Sequence, residues 1–596
     1  MKRENKIKYN PTNTLVGTFK NYKNFGFVIP DNKKENSDIF ISKKDFNGAK
    51  DNCKVVVEIL KEKTENRKAE GKIVEILGKI NQAGVDLISI VKEYKLPFEF
   101  PINVINNAKA ITNLKISKNE IKKRTDFRKD IVFTIDGEDA KDLDDAISVE
   151  KTNDDTYILK VHIADVSFFV EEDSSLDKEA VLRGTSIYLL NTVIPMLPKE
   201  LSNGVCSLNE GEDRLTLSTI MEIDKQGNVI SSDICKGIIN VQKRLSYNIV
   251  QNILDYSENP KENKIKKGYE SYLKYLKQFK IMEELALILE RKRKSQGGLD
   301  LDIPESKLTF DKNGHTTNVE KYESKFSNTI IEQFMLTTNE TVAEKFYWLG
   351  APFIYRVHEV PDLEKIQELN KILSNFGYKI KGKKENFHPM EFAKILDDIK
   401  GKEEEKVISN LILRTLKIAR YEAINKGHFG IASNYYCHFT SPIRRYPDLY
   451  IHRIISKYLE NKYVVSEEFI EKHNELSVEY AETSSERERT AQKAERDAES
   501  MKKAEYMQNK IGEEYQGIIS GVTNFGLFVE LENTVEGLIK FENLGREYFI
   551  YDEERKQLIG EQSRKIYKIG DKINIRVIEA NKIMRRIRFE KIESDK

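Results

Sequence analysis

The segment TIDGEDAKDLDDAISVE restricts the fold more than any other part of the chain, because Asp136, Asp142, Asp144 and Asp145 fall within ten residues. Two carboxylates at about 4 Å repel by about 4 kcal/mol at an effective dielectric of about 20, so this loop folds compactly only with bound protons or divalent cations. Ile131, Phe133 and Ile135 alternate ahead of it and predict a strand that delivers Asp136 at its end. Asp136-Gly137 suits a turn, and apolar positions resume at Ala146 and Ile147. An acidic surface loop is the plainer reading. A calcium loop fails in detail, since its required sixth-position glycine would be Ile147 counted from Asp142, or Lys141 counted from Asp136. All-oxygen donors favour magnesium or manganese over zinc. A carboxylate loop at a strand end is what a metal-dependent phosphodiesterase requires, with two metals activating water and holding the leaving oxygen.

A second signal is HFGIASNYYCHFTSPIRRYPDLYIHRII, in which Ser441, Pro442 and Pro447 mark a loop entering a helix whose apolar face includes Leu449 and Ile454. Arg444 and Arg445 then lie near a helix N-terminus, where unpaired N–H groups and guanidinium forks both favour phosphate. Two exposed arginines paired with local acids are the plainer alternative. A third signal is aromatic placement: NFGFVIP and DIFIS put Phe25, Phe27 and Phe40 on one strand face, and NFGLFVEL does the same for Phe525 and Phe528. A base stacked on such a ring is worth about 1–3 kcal/mol with little sequence preference. The glycine between the aromatics of each segment suggests a platform approached by a flat ligand, against the alternative of ordinary core packing.

The rest of the chain frames these signals. At 596 residues it has room for about four domains. Short β-prone segments from about Thr14 suit a small OB-like barrel over 12–78, after a tail of 1–11. A helical connector follows at 79–125, then a mixed α/β body over 126–460. Within that body KVISNLILRTLKIARYEAINKG predicts a helix ended by Gly427, and Pro361 predicts the start of a helix closed by Gly377. Residues 461–511 are charged and nearly free of Gly and Pro, which predicts one or two long helices completing the body. Alternation returns over 512–591 as a second barrel, leaving a tail of 592–596. The fold class expected is multidomain, a central α/β domain flanked by OB-fold β-barrels.

Lys plus Arg number 98 and Asp plus Glu 97, so any affinity for a polyanion must come from the placement of charge. Cys53, Cys206, Cys235 and Cys437 form no C-x-x-C pair, so neither a disulfide scaffold nor a thiolate zinc site is supported and a reducing compartment is expected. The basic start leads into no apolar signal core, and the longest apolar stretch, Tyr347 to Tyr355, is too short to cross a bilayer. A soluble cytoplasmic protein with no membrane partner is expected.

At TIDGEDAKDLDDAIS, VHIADVS, IPMLPKELSNGVCSLN, IIEQFMLTTN and HFTSPIRRYPDL the sequence resembles the ribonuclease R and ribonuclease II family of bacterial exoribonucleases, over nearly its whole length. The resemblance implies a cold-shock-type OB domain at the N-terminus and a ribosomal-protein-type OB domain at the C-terminus. It implies processive, magnesium-dependent hydrolysis of single-stranded RNA from the 3′ end to nucleoside 5′-monophosphates, in RNA turnover and quality control. Carried over by position, Asp136, Asp142 and Asp145 match metal ligands, and Asp144 matches the carboxylate on which the chemical step most depends. Arg444 matches the arginine at the scissile phosphate, with Arg445 beside it at the RNA 3′ end. Tyr188 matches a tyrosine stacking at the 3′ end, and Tyr247 and Glu332 match positions near the terminal ribose. His162 and Asp165 of VHIADVS read as structural. Three departures stand out: one N-terminal barrel in place of two, a C-terminus without a Lys-rich tail, and Leu301 where some relatives have a stacking Phe. The expectation is a monomeric exoribonuclease using magnesium, with manganese as a substitute. The rival is a non-catalytic OB-fold RNA-binding or chaperone protein with an inert centre.

Overall fold

Alternation in the N-terminal segment does what period-two patterning demands, placing Phe19, Val28, Ile39, Ile41, Val55 and Val57 inside a closed five-stranded barrel. The computed structural model describes residues 13–31, 37–65, 67–113, 116–301, 305–382, 387–402, 404–553 and 555–592. Around the barrel run Thr14–Tyr22, Phe25–Pro30, Ile39–Ser42, Glu70–Lys79 and Cys53–Lys61. The glycine between the aromatics has a different cause from the one expected. A Cβ on Gly26 would strike the buried Phe19 ring, and a Cβ on Gly526 would strike the carbonyl of Ile539, so both glycines answer to packing inside their barrels.

The connector forms helices Val85–Glu93, Ile102–Thr112 and Lys118–Lys122. Beyond it a seven-stranded sheet has the order Lys243–Ser246, Phe133–Asp136, Asp145–Lys151, Tyr157–Ala164, Asp213–Ile223, Val229–Asn240 and Thr125–Asp126. The outermost strand on each side pairs in parallel and the inner strands are antiparallel. Phe133, Thr134 and Ile135 are all buried, so the strand leading to Asp136 is covered on both faces and does not alternate core with solvent. Helices Leu276–Gln296 and Phe326–Trp348 pack beside each other and contribute Phe279, Met282, Ile330 and Phe334 to the same core.

Helices Leu363–Leu373, Pro389–Ile399 and Glu405–Thr415 build a separate apolar cluster, into which Leu301 packs. Gly377 takes a left-handed φ of 81° as expected, directly after the 3-10 turn Ser374–Phe376 that extends that first helix. The helix expected to run to Gly427 instead stops at Thr415. Residues Arg420–Glu422 form a strand paired with Tyr355–Val357, and Tyr421, 5% exposed, donates its N–H to Ser485 Oγ at 2.9 Å. Continuing the helix would forfeit that pairing and leave Ile418, now 71% exposed, on the expected apolar face.

One helix of 42 residues, Glu467–Gln508, spans ~63 Å and is capped by Ser466, whose Oγ accepts the Phe469 N–H at 3.2 Å. Its buried Ala481, Ala491, Ala494, Ala498 and Ala504 let neighbouring elements approach closely. The C-terminal barrel is closed by Glu514–Thr523, Gly526–Leu531, Glu536–Lys540, Arg586–Lys591 and Lys572–Asn581. An ionic knot fastens it to the body: Arg585 pairs with Glu93 and Asp497, while Lys502 and Lys582 share Asp86 and Glu505. Among the described residues no helix is long and apolar enough to cross a membrane.

Candidate active site

Asp136 is the last residue of its strand, opposite Ser246 on the parallel neighbour, and the chain turns at once, the Ala140 N–H donating to the Gly137 carbonyl at 3.2 Å. The return path is pinned by Leu143, which is 1% exposed between two acids. Its N–H donates to Ser207 Oγ at 3.2 Å and its carbonyl accepts from Leu208 N–H at 3.0 Å. Ser207 Oγ in turn donates to the Lys141 carbonyl at 2.9 Å. Asp144 follows, 4% exposed, and Asp145 opens the next strand. An apolar peg thus forces acidic neighbours inward. Sequence reading passed over both Leu143 and Ser207; the signal was an isolated leucine within an acidic run.

Asp144 Oδ1 accepts the Ile443 N–H at 2.8 Å, and Arg444 Nε stands 3.6 Å from Oδ2. Oδ2 of Asp144 and Oδ2 of Asp136 are buried with no hydrogen-bond partner among the described residues. Burial holds the Asp144 proton well above the usual carboxylate range, against Arg444 and the Ile443 N–H, with Asp142 and Asp145 adding to the rise. Burial also raises Asp145, reinforced by Asp136 and opposed by Arg444 and Arg445. Asp136 is raised by burial and by Asp142, against Arg444 and Arg244. Among the described residues no three carboxylate, imidazole or thiol groups already enclose a point where a metal would sit. The donor set nonetheless fits a hard divalent cation: the acids raise one another's proton affinity, and two of their oxygens are buried without a hydrogen bond among the described residues.

The two adjacent arginines part company. Arg444 keeps 43% of its side chain exposed and donates from Nη2 to Ser441 Oγ at 3.1 Å. Arg445 is the residue before helix Tyr446–Glu460 and turns inward, donating to Asp448 Oδ1 from Nη2 at 2.6 Å and from Nε at 3.1 Å. The loop is stitched to the segment leading to Tyr188: Ser186 N–H donates to the Arg444 carbonyl and Tyr446 N–H to the Gly184 carbonyl, each at 2.9 Å. Tyr188, 40% exposed, donates its hydroxyl to Asp142 Oδ2 at 3.3 Å and its N–H to Glu495 Oε1 at 2.9 Å.

Tyr247 begins the helix after Ser246, and its phenol is pushed up by burial, by Asp136 and by Asp145, which places it at the same acids. Glu332 lies on the exposed side of helix Phe326–Trp348, and its charged neighbours are Arg293, Asp300 and Glu290, not the four aspartates. A cleft of about 1130 Å³ is lined by Asp136, Ser246, Tyr247, Tyr322, Lys325 and Tyr515. His162 bonds Ser218 Oγ at 2.8 Å, and Asp165 pairs with Arg124 at 2.7 Å and caps a short helix through Phe168 N–H, so both serve the body's packing.

On the N-terminal barrel the rings of Phe25 and Phe40 stack at 6.0 Å, and Phe27 meets both edge-on. Tyr22, 55% exposed, extends this surface by stacking on Phe25 at 5.6 Å, and Lys68 sits 4.5 Å above Phe27. On the C-terminal barrel Phe525, 52% exposed, meets Phe528 at 6.1 Å. A groove of about 1320 Å³ lined by Phe528, Asp31, Arg414, Arg496, Lys503 and Arg586 runs between the barrels along the long helix.

Comparison with known proteins identifies the domains that carry these features. The RNB domain family matches residues 124–461, the cold shock domain residues 27–101, and the S1 RNA binding domain residues 508–592. Ribonuclease R of Thermotoga maritima is 42% identical over 584 residues, 98% of this chain and 81% of that protein. The structure of Mycoplasma genitalium RNase R in complex with ribose methylated single-stranded RNA aligns with a TM-score of 0.90 at 27% identity, over 98% of this chain and 90% of that one. The same protein in complex with double-stranded RNA aligns with a TM-score of 0.84 at 25% identity, over 97% and 95%. The family is one of RNA-binding, metal-dependent hydrolases, and along this chain the cold-shock, RNB and S1 domains follow in that order. With its acidic loop, arginine loop and two aromatic barrels, the chain belongs to the ribonuclease R family and is a hydrolytic 3′→5′ exoribonuclease.

Proposed function

We propose that the protein degrades single-stranded RNA processively from its 3′ end, releasing nucleoside 5′-monophosphates with magnesium. The observation that carries this reading is the convergence of an exposed Arg444 with the orphaned, buried Oδ2 of Asp144, 3.6 Å apart. Two magnesium ions, or manganese in their place, held by Asp136, Asp142, Asp144 and Asp145, would supply a Lewis acid that generates the nucleophile and neutralises developing charge. Arg444 offers its fork to the non-bridging oxygens of the last phosphodiester, where negative charge grows as water adds in line. The bond from phosphorus to the penultimate O3′ breaks, that oxygen takes up a proton, and the phosphate stays on the departing nucleotide. Tyr188 stacks on the terminal base from a hydroxyl anchored at Asp142. Tyr247 and Glu332 act near the terminal ribose, where the 2′-hydroxyl separates RNA from DNA.

Phe25, Phe27 and Phe40 on one barrel and Phe525 and Phe528 on the other hold the upstream strand, so the RNA stays bound while its end is shortened. One chain supplies the acids, the arginine and both barrels, which supports action as a monomer. The four cysteines are free, which suits the reducing cytoplasm. The test uses 5′-labelled single-stranded RNA. The protein shortens it to a small end product with magnesium and not with chelator, and Asp144→Asn lowers the rate by about 1000-fold or more while RNA binding persists. Full-length RNA persisting with magnesium, or a folded Asp144→Asn variant as fast as the parent, refutes the reading.

A further inference from the structure

Two neighbouring arginines of equal chemistry take opposite roles because of one carboxylate. Asp448 is 0% exposed, in the first turn of helix Tyr446–Glu460. Its Oδ1 accepts three donors: Arg445 Nη2 at 2.6 Å, Arg445 Nε at 3.1 Å and the Ser441 N–H at 2.8 Å. A buried ion pair is costly to desolvate, and Asp448 Oδ2 is buried without a hydrogen bond among the described residues, yet Oδ1 alone gathers both ends of the loop Ser441–Arg445. Among the described residues Arg445 makes its ion pair with Asp448, and its charge also reaches Asp145. Tyr421, Tyr436 and His438 face it, His438 is kept neutral by burial and by the neighbouring arginines, and Arg356 is taken by Glu488 at 2.6 Å.

Between the two tethered ends lie the groups that reach the acids. With Ser441 and Arg445 tied together, the Ile443 N–H points at Asp144 Oδ1 and the Arg444 guanidinium at Asp144 Oδ2. The Arg444 carbonyl of this loop accepts the Ser186 N–H, and Tyr446 just beyond it donates to the Gly184 carbonyl, which seats the segment leading to Tyr188. We infer that Asp448 is a positioning residue: through Arg445 and the Ser441 N–H it sets the loop that presents Arg444 and Ile443 to Asp144, and Arg445 serves this loop instead of the RNA. The inference rests on the proposed role of Arg444 and deepens it.

The test compares full-length Asp448→Asn, Arg445→Gln, their double variant, Arg445→Lys and Arg444→Ala. It measures single-turnover hydrolysis of 5′-labelled RNA with magnesium, equilibrium RNA binding in chelator, and folding by circular dichroism. Asp448→Asn and Arg445→Gln are expected to slow hydrolysis about 100-fold, the effect of displacing a catalytic group by an ångström. Binding stays within about threefold of the parent. The double variant is no slower than the worse single one, because the two residues act as a unit. If Asp448→Asn does not fold, Arg445→Lys decides: it keeps the charge, loses the fork, and slows hydrolysis with binding intact. Parental hydrolysis by a folded Asp448→Asn or by Arg445→Lys, or an Arg445→Gln defect confined to RNA binding, overturns the inference. Parental hydrolysis by Arg444→Ala beside a slow Asp448→Asn instead removes the role of Arg444 and leaves Asp448 acting through Ile443.

Discussion

Leu143→Ala probes the idea that an apolar peg, not a charge, sets the geometry of the acidic loop. The side chain is 1% exposed within the main core, and truncating such a leucine costs about 3–5 kcal/mol. Three hydrogen bonds tie the loop to Ser207 and Leu208, and at about 1 kcal/mol each they contribute about 3 kcal/mol. The loss therefore matches or exceeds what remains to hold the loop, and the acids between Gly137 and Asp145 open locally. If the loop is competent a tenth of the time, the magnesium concentration for half-maximal rate rises about tenfold. Single-turnover hydrolysis across a magnesium series reads this shift, and hydrogen exchange over residues 137–145 reads the opening. Leu143→Met, which nearly conserves volume, is expected to stay close to the parent. Parental magnesium dependence and parental exchange in Leu143→Ala would refute the peg.

Proton and cation should compete at the acids. Asp144 and Asp145 are raised in the folded protein, so the folded state binds more protons than the unfolded one, and cation-free stability falls as pH rises beyond the ordinary carboxylate range. Stabilisation by magnesium, read as the change in thermal midpoint, grows over the same range; a pH-independent change would contradict this. Replacing Phe25 by Ala weakens binding of single-stranded RNA by about 1–3 kcal/mol and leaves single-turnover hydrolysis of bound RNA unchanged, with filter binding and rapid quench as the two readouts. Arg585→Ala leaves the half-buried Glu93 and Asp497 without their shared cation, costing about 1–3 kcal/mol at the barrel's seat. Faster hydrogen exchange at the Asn581–Arg586 turn is the expected outcome, and unchanged exchange there would count against the knot.

Patterns short in sequence were legible without the fold. The two barrels, the long charged helix after Ser466 and the left-handed Gly377 follow from periodicity, turn chemistry or composition, which act over a few residues, and a strand does end at Asp136 although it is buried on both faces and does not alternate. The acids of the site were visible for the same reason, since their crowding is a local property. What the sequence left open was which partner claims a residue. Arg444 and Arg445 are chemically alike on paper, and only the buried Asp448 separates them. Leu143 became a peg because Ser207 arrives 64 residues later, and Tyr188 met Asp142 because a strand far along the chain turned back. The helix before Arg420 was cut short when Tyr421 joined Tyr355–Val357, a pairing worth more than continued helical propensity. Local propensities differ by fractions of a kcal/mol per residue, whereas burial and long-range pairing contribute several at once, so wherever the two disagreed the tertiary structure decided.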